Sequence, residues 1–155
     1  MKFRLARESD LDQLARMRWS YWLEGGADPA KQDEKAFVNH VVETFTTKLN
    51  KDWFVWCALE KDLILSHVYI QRIQKVPKPS APVDAFGYVT NVYTRPQHRN
   101  KGIGSQVLSH VKAWALEMDL EFLMLWPNEP SIPFWRRMDF RVDDPLVRKI
   151  RPYVN

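Results

Sequence analysis

TRPQHRNKGIGSQVLSHV, residues 94–111, is the stretch on which the fold turns. It holds two of the five glycines in a chain of 155 residues, Gly102 and Gly104, beside Arg99 and Lys101 and directly before an amphipathic run. Ile103, Val107, Val111, Trp114 and Met118 recur at helical spacing and predict a helix from about residue 102 to 119. Upstream, AFGYVTNVYT (85–94) has strand character through Phe86, Tyr88, Val89, Val92 and Tyr93, and downstream EFLMLWP (121–127) reads as a short apolar strand. The glycines therefore fall at a strand-to-helix turn. The connection length suits a right-handed parallel crossover.

The first turn of a helix leaves backbone N–H groups without internal partners and carries the positive end of the helix dipole, so it can hold an anion such as phosphate. Glycine there lets backbone approach the ligand, Arg99 and Lys101 add positive charge, and Ser105 offers a hydroxyl. Three phosphate-binding patterns compete. A Walker A loop, G-x-x-x-x-G-K-[ST], has no match. A Rossmann G-x-G-x-x-G fails because its last position is Val107, and because a hairpin precedes the strand that leads into the loop. The pattern R/Q-x-x-G-x-G/A is met at every fixed position by Arg99-Asn100-Lys101-Gly102-Ile103-Gly104.

Working outward, KFRLAR (2–7) alternates as a half-buried strand, and a helix follows with Ser9 as expected N-cap and Leu11, Leu14, Met17 and Tyr21 on one face. Gly25 and Gly26 end it. A second helix carries Phe37, Val41, Phe45 and Leu49. DWFVWCALE (52–60) and LILSHVYIQRIQKV (63–76) predict an antiparallel hairpin turning at Lys61-Asp62, and PKPSAPVD (77–84) an exposed loop. NEPSIPFWRRMDF (128–140) reads as a short helix opened by prolines, and RVDDPLVRKIRPYV (141–154) as one or two closing strands with a turn at Asp143-Asp144-Pro145.

At this length one domain over residues 1–155 is expected. Hydrophobic residues at 45% and charged residues at 27% are ordinary globular values, and the net charge of +4 suits a phosphate-bearing ligand as well as an acidic surface or nucleic acid. The basic residues are dispersed and carry no nucleic-acid recognition motif, so no nucleic-acid partner is expected. No apolar run is long enough to span a bilayer, and MKFRLARESD carries charge where a signal peptide needs an apolar segment, so a cytoplasmic protein without membrane attachment is expected. The single cysteine, Cys57, is read as a buried thiol, and His67 as a strand residue with a satisfied ring. The four histidines show no metal-ligand spacing, so no metal is expected.

In this order of elements, R-N-K-G-I-G resembles the acyl-CoA loop of the GCN5-related N-acetyltransferase (GNAT) superfamily. V-Y-T-R-P (92–96) resembles the end of that family's fourth strand, and NEPSIPFWRRMDF its N…(F/L)-Y-x-x-x-G-F segment. The resemblance implies an α/β fold with a mixed, mostly antiparallel central sheet, flanked by helices and splayed between strands 4 and 5. It implies acetyl-CoA in the opening, its pyrophosphate on the backbone N–H groups of Asn100, Lys101, Gly102, Ile103, Gly104 and Ser105 and framed by Arg99. The pantetheine arm would run along Val92, Tyr93 and Thr94 and meet Asn128. The implied reaction is direct attack of a small-molecule primary amine on the thioester, with the oxyanion met by the backbone N–H near Val92. A protein or peptide amine is the alternative acceptor, and a non-catalytic acyl-CoA sensor the alternative function.

Three positions depart from the family. Its frequent strand-4 glutamate is replaced by Tyr88, Thr90 or Asn91, none of which is a base near neutral pH; a remote carboxylate acting through water, or an amine of low pKa, would be needed. Its frequent tyrosine acid corresponds to Trp135, whose indole N–H donates a hydrogen bond but does not release its proton. These four residues are the weak catalytic candidates. Asp139 stands where the family has glycine, which predicts a changed turn. Trp19, Tyr21 and Trp22 fall where the family's first helices line the acceptor site. The family's habit of pairing through C-terminal strands admits a homodimer through LVRKIRPYV (146–154).

Overall fold

The computed structural model describes residues 1–79 and 84–142. The order is β1 (Lys2–Leu5), α1 (Leu11–Glu24), α2 (Glu34–Thr46), β2 (Trp53–Glu60), β3 (Leu63–Gln74), β4 (Ala85–Thr94), α3 (Ile103–Glu117), β5 (Leu123–Met124) and α4 (Ile132–Arg137). The expected closing strands, their turn and the LVRKIRPYV segment lie outside the described residues from Asp143 onward. The strands form one sheet in the order β1-β2-β3-β4-β5, antiparallel except for the parallel pair β4–β5.

Both faces of this sheet are covered, which explains why β2 is apolar at successive positions. Phe54 and Ala58 face α3 and its Val107, Leu108, Val111 and Trp114, whereas Val55, Cys57 and Leu59 face Leu14 and Met17 of α1. Full burial of each large apolar side chain contributes about 1.5–3 kcal/mol. These two layers therefore hold the central strands rigid from either side.

The entry to α1 differs from the expected cap. Asp10, not Ser9, organises it: its carboxylate accepts from the Arg7 amide at 2.7 Å and from the Arg4 guanidinium at 2.6 Å. On α1, Leu11, Leu14 and Met17 are buried as expected, but Tyr21 is 38% exposed and turns away from the core while Trp19 is buried instead. Helix α2 ends before Leu49, and its one fully buried residue is Val38; Phe37 packs on Trp19, and Phe45 on Trp53 and Tyr69.

Strand β4 contains the feature that shapes the molecule. Opposite β3, Thr90 pairs with Tyr69 and Tyr93 with His67, so β4 spends one extra residue there, and Asn91 takes the left-handed backbone at φ 44°. A bulge of this kind bends its strand and redirects side chains. On the other side β4 pairs with β5 only at Gly87–Leu123 and Tyr88–Met124. Pro127, which has no N–H to give a ladder, follows shortly after β5. From Val89 to Thr94 the β5-facing edge of β4 has no strand partner among the described residues. The sheet thus opens between β4 and β5.

Candidate functional site

The opening is a cleft. Its inner part, about 400 Å³, is lined by Tyr88 to Val92 of β4 on one side and by Leu125 to Asn128 with Phe134 and Trp135 on the other. An outer part of about 730 Å³ continues under the C-terminal end of α1, where Tyr21, Trp22 and Glu24 meet Gly25–Ala27 and Asn128. Arg18, Tyr21 and Asn128 line both parts. Tyr88, Thr90, Asn91, Val92, Asn128 and Trp135, singled out from the sequence, are therefore brought to one cavity. Of the aromatics assigned to the acceptor side, Tyr21 and Trp22 line the cleft, whereas Trp19 is core at 6% exposure.

Beyond the open end of β4 lies the glycine loop. Asn100 at φ 59° and Gly102 at φ 73° are both left-handed, so the chain curls tightly into α3. Alternating backbone of this kind turns successive N–H groups towards one point and makes an anion-binding concavity. The amides of Asn100 to Ser105 find no acceptor among the described residues, and the first loop carbonyl to enter the helical ladder is that of Gly102, which takes the Gln106 amide at 3.1 Å. The two glycines have different jobs. Gly102 supplies the left-handed turn, while Gly104 lies in the helix, where an added Cβ would stand 3.6 Å from Thr94 Oγ1 and 4.0 Å from Phe134 Cζ. Thr94 itself is fixed by a 2.8 Å hydrogen bond between its hydroxyl and that of Ser66.

The basic side chains do not point at this concavity. Arg99 donates to Glu24 at 2.6 Å and to the Thr94 carbonyl at 2.9 Å, and its guanidinium lies over the Tyr93 ring at 5.3 Å. Lys101 donates to the Gln97 carbonyl at 2.9 Å. The Tyr93 hydroxyl also donates to Glu24, at 2.7 Å. Burial raises the Glu24 carboxyl, but the hydrogen bonds from Arg99 and Tyr93 outweigh it and hold Glu24 below its ordinary range. Burial and then Glu24 push the Tyr93 phenol up to about 12. This clasp ties the end of α1 to the loop. Glu24 and Arg18 were absent from the sequence-based site, since neither lies in a motif.

Trp135 is 7% exposed, packs edge-on against Phe134 and Phe140, and donates its indole N–H to Ser131 at 3.2 Å. Asn128 caps the turn before α4, its side-chain oxygen accepting from the Ser131 amide at 3.1 Å. A changed turn is expected at Asp139, and the backbone there is left-handed. Asp139 adopts φ 66°, the backbone that glycine would supply, and the Phe140 amide bonds back to Trp135 at 3.0 Å. Asp tolerates this region better than most residues, and Lys112 pairs with its carboxylate at 3.2 Å.

His67 corrects another expectation. It is fully buried beside the bulge, between Tyr69 and Tyr93, yet neither ring nitrogen has a well-formed hydrogen bond among the described residues. Burial pushes its imidazole down to about 3, partly offset by the backbone of Asn91, so it is neutral at physiological pH. Cys57 is buried and its thiol is pushed up to about 12, chiefly by burial, which makes it inert as a nucleophile. Among the described residues no group of three or more His, Cys, Asp or Glu is placed to hold a metal ion, and no helix is long and apolar enough to cross a membrane.

The same architecture recurs in solved structures. A predicted acetyltransferase from Clostridium acetobutylicum, solved with acetyl-CoA, superposes with a TM-score of 0.78 at 24% identity, covering 96% of this chain and 94% of that one. A GCN5-related N-acetyltransferase from Ralstonia eutropha gives 0.73 at 24% identity over 96% and 97% of the two chains. A ribosomal-protein-alanine N-acetyltransferase from Brucella melitensis gives 0.71 at 18% identity over 97% and 99%. No curated protein matches in sequence. The family model described as Acetyltransferase (GNAT) family matches residues 11–140, which span α1, the bulged β4, the glycine loop and α4, and the chain belongs to that family.

Proposed function

We propose that this chain transfers an acetyl group from acetyl-CoA to the primary amine of a small molecule by direct attack. The supporting observation is the coincidence, at one end of β4, of a strand edge without a partner among the described residues and the converging amides of Asn100 to Ser105. A pantetheine arm carries amide groups able to pair with such an edge, and a pyrophosphate matches the amides. The residues present fit acetyl-CoA on both counts.

In this reading the unprotonated amine attacks the thioester carbonyl carbon. A C–N bond forms, the C–S bond breaks, the sulfur leaves with its electron pair as the CoA thiolate, and the ammonium proton passes to solvent. The backbone N–H near Val92 meets the oxyanion, the term that commonly contributes most in acyl transfer. Glu24 is a carboxylate of the cleft lining, but the Arg99 and Tyr93 hydrogen bonds that keep it ionised also weaken it as a base. Deprotonation through water therefore fits better than direct transfer to a side chain. Trp135 holds Ser131 and walls the cleft; it supplies no proton. The aromatic side chains of Tyr21, Tyr88 and Trp126 that line the cleft suit the body of a small amine.

The lack of a carboxylate among Tyr88, Thr90 and Asn91, together with Trp135 in the acid position, favours one second reading, a protein that binds acyl-CoA without turning it over. Thiol release from acetyl-CoA across a panel of amines separates the two. Acceptor-dependent release supports transfer, and tight acetyl-CoA binding without it supports the sensor.

A further inference from the structure

Among the described residues that line the cleft, Arg18 is the one basic side chain. It lines the inner and the outer cavity alike, and its side chain is partly buried. One of its N–H groups donates to Asn91 Oδ1 at 3.2 Å, and its guanidinium lies 5.3 Å from the centre of the Tyr21 ring. Among the described residues it makes no ion pair and no second hydrogen bond. A guanidinium has five donors in a planar fork suited to a carboxylate.

The neighbouring charges are already committed. Arg99 is held by Glu24, Lys101 by the Gln97 carbonyl, and Arg95 by the Ile64 carbonyl at 2.7 Å. Glu24, which could have attracted an ammonium, is neutralised by Arg99. Among the described residues the cleft therefore presents one uncompensated positive charge to its contents. An acceptor whose only charge is an ammonium is repelled by it, whereas one that also carries a carboxylate enters with no net charge and can pair with the fork. Through Asn91 the fork is anchored to the bulge itself, so a carboxylate bound there sits beside Thr90 and Val92 at the open edge of β4. An amine two bonds from that carboxylate falls next to the same edge.

We propose that the acceptor is an amino-acid-like molecule with a carboxylate next to its amine, and that Arg18 binds the carboxylate. This rests on the acetyl-transfer reading. Asn91 acts as a positioning residue for Arg18, and the aromatic faces of Tyr21, Tyr88 and Trp126 give the acceptor's side chain an apolar wall.

The test compares free α-amino acids with their primary amides and with amino-terminal dipeptides in a CoA-thiol release assay. An amide has the less basic amine and more of it unprotonated at neutral pH, so intrinsic reactivity favours the amide and recognition alone favours the acid. The wild type is expected to prefer the acid by about 10- to 100-fold in kcat/KM, the span of a charge-assisted hydrogen bond, and chiefly through KM. R18Q is expected to abolish the acid-to-amide ratio, R18K to retain part of it, and both to bind acetyl-CoA as a check on folding. Amides or dipeptides serving as well as acids, or R18Q keeping the ratio, would overturn the proposal. If no amine of any class releases thiol, the transfer reading fails on its own, and calorimetric titration of the amino acids with CoA present still decides: binding to wild type that is lost in R18Q supports the carboxylate site, and no binding refutes it.

Discussion

The two halves of β4 are one continuous strand with opposite surroundings. From Ala85 to Tyr88 it is flanked by β3 on one side and by Glu121, Phe122 and β5 on the other, and Gly87 is so closely packed that an added Cβ would lie 2.6 Å from Leu123 Cδ2 and 3.1 Å from Ile70 Cγ2. From Val89 to Thr94 it keeps β3 and loses β5, and the change follows within a few residues at the Asn91 bulge. The comparison teaches that the closed half holds the sheet together so that the open half can leave backbone groups accessible. Glycine serves both ends, by absence of bulk at Gly87 and by a left-handed backbone at Gly102.

The largest effect is expected at the open end. Gly102→Val places a β-branched residue at φ 73° and distorts the amide concavity. The Kd for acetyl-CoA measured by calorimetry should rise about 100-fold, roughly 2.7 kcal/mol. Unchanged affinity would remove the loop from the cofactor site. At the closed end, Gly87→Val should instead cost about 1–3 kcal/mol of stability in chemical denaturation, through overpacking against Leu123, Leu120 and Ile70. If acetyl-CoA affinity fell as far as in Gly102→Val, the division of labour between the halves would be wrong.

Smaller effects probe the clasp and the far wall. Glu24→Gln frees Arg99 and removes a negative charge near the loop, so acetyl-CoA should bind about two- to fivefold tighter, within the range of an exposed ion pair, with the gain fading at high salt. Weaker binding would mean that the clasp orders the site instead of competing with it. Trp135→Tyr should leave turnover within about threefold, under 1 kcal/mol in barrier, since the indole does no proton transfer. A steep loss accompanied by a lower Tm would instead assign Trp135 to packing.

What was legible in the sequence was local. R-N-K-G-I-G could be read because left-handed backbone, a helix start and unpaired amides are properties of neighbouring residues. The apolar runs of β2 and β3 on either side of Lys61-Asp62 and the helical spacing of α3 are readable for the same reason. At Asp139 the left-handed backbone is not legible, because the residue type is Asp and not the glycine that usually marks it. The role of Asp10 at the entry to α1 is not legible in the sequence because its Arg4 partner, arriving from β1, is a tertiary contact. Arg18 meets Asn91 across 73 positions and Glu24 meets Arg99 across 75, distances over which no periodicity or motif carries information. The lonely ring of His67 is likewise a consequence of packing, decided by which strand lies beside the bulge.

The open edge of β4 also bears on how the protein survives in solution. Exposed strand edges are templates on which a second chain can add itself, and proteins commonly blunt them with charge, bulges or cover. Here the bulge at Asn91 breaks the flat run, and a bound pantetheine arm would cap the remainder. A ligand at 100 times its Kd adds about 2.7 kcal/mol to the folded state. Under the acetyl-CoA reading proposed above, shelf life and resistance to clumping should then follow the supply of acyl-CoA, the metabolite acting as a chaperone for the chain that binds it.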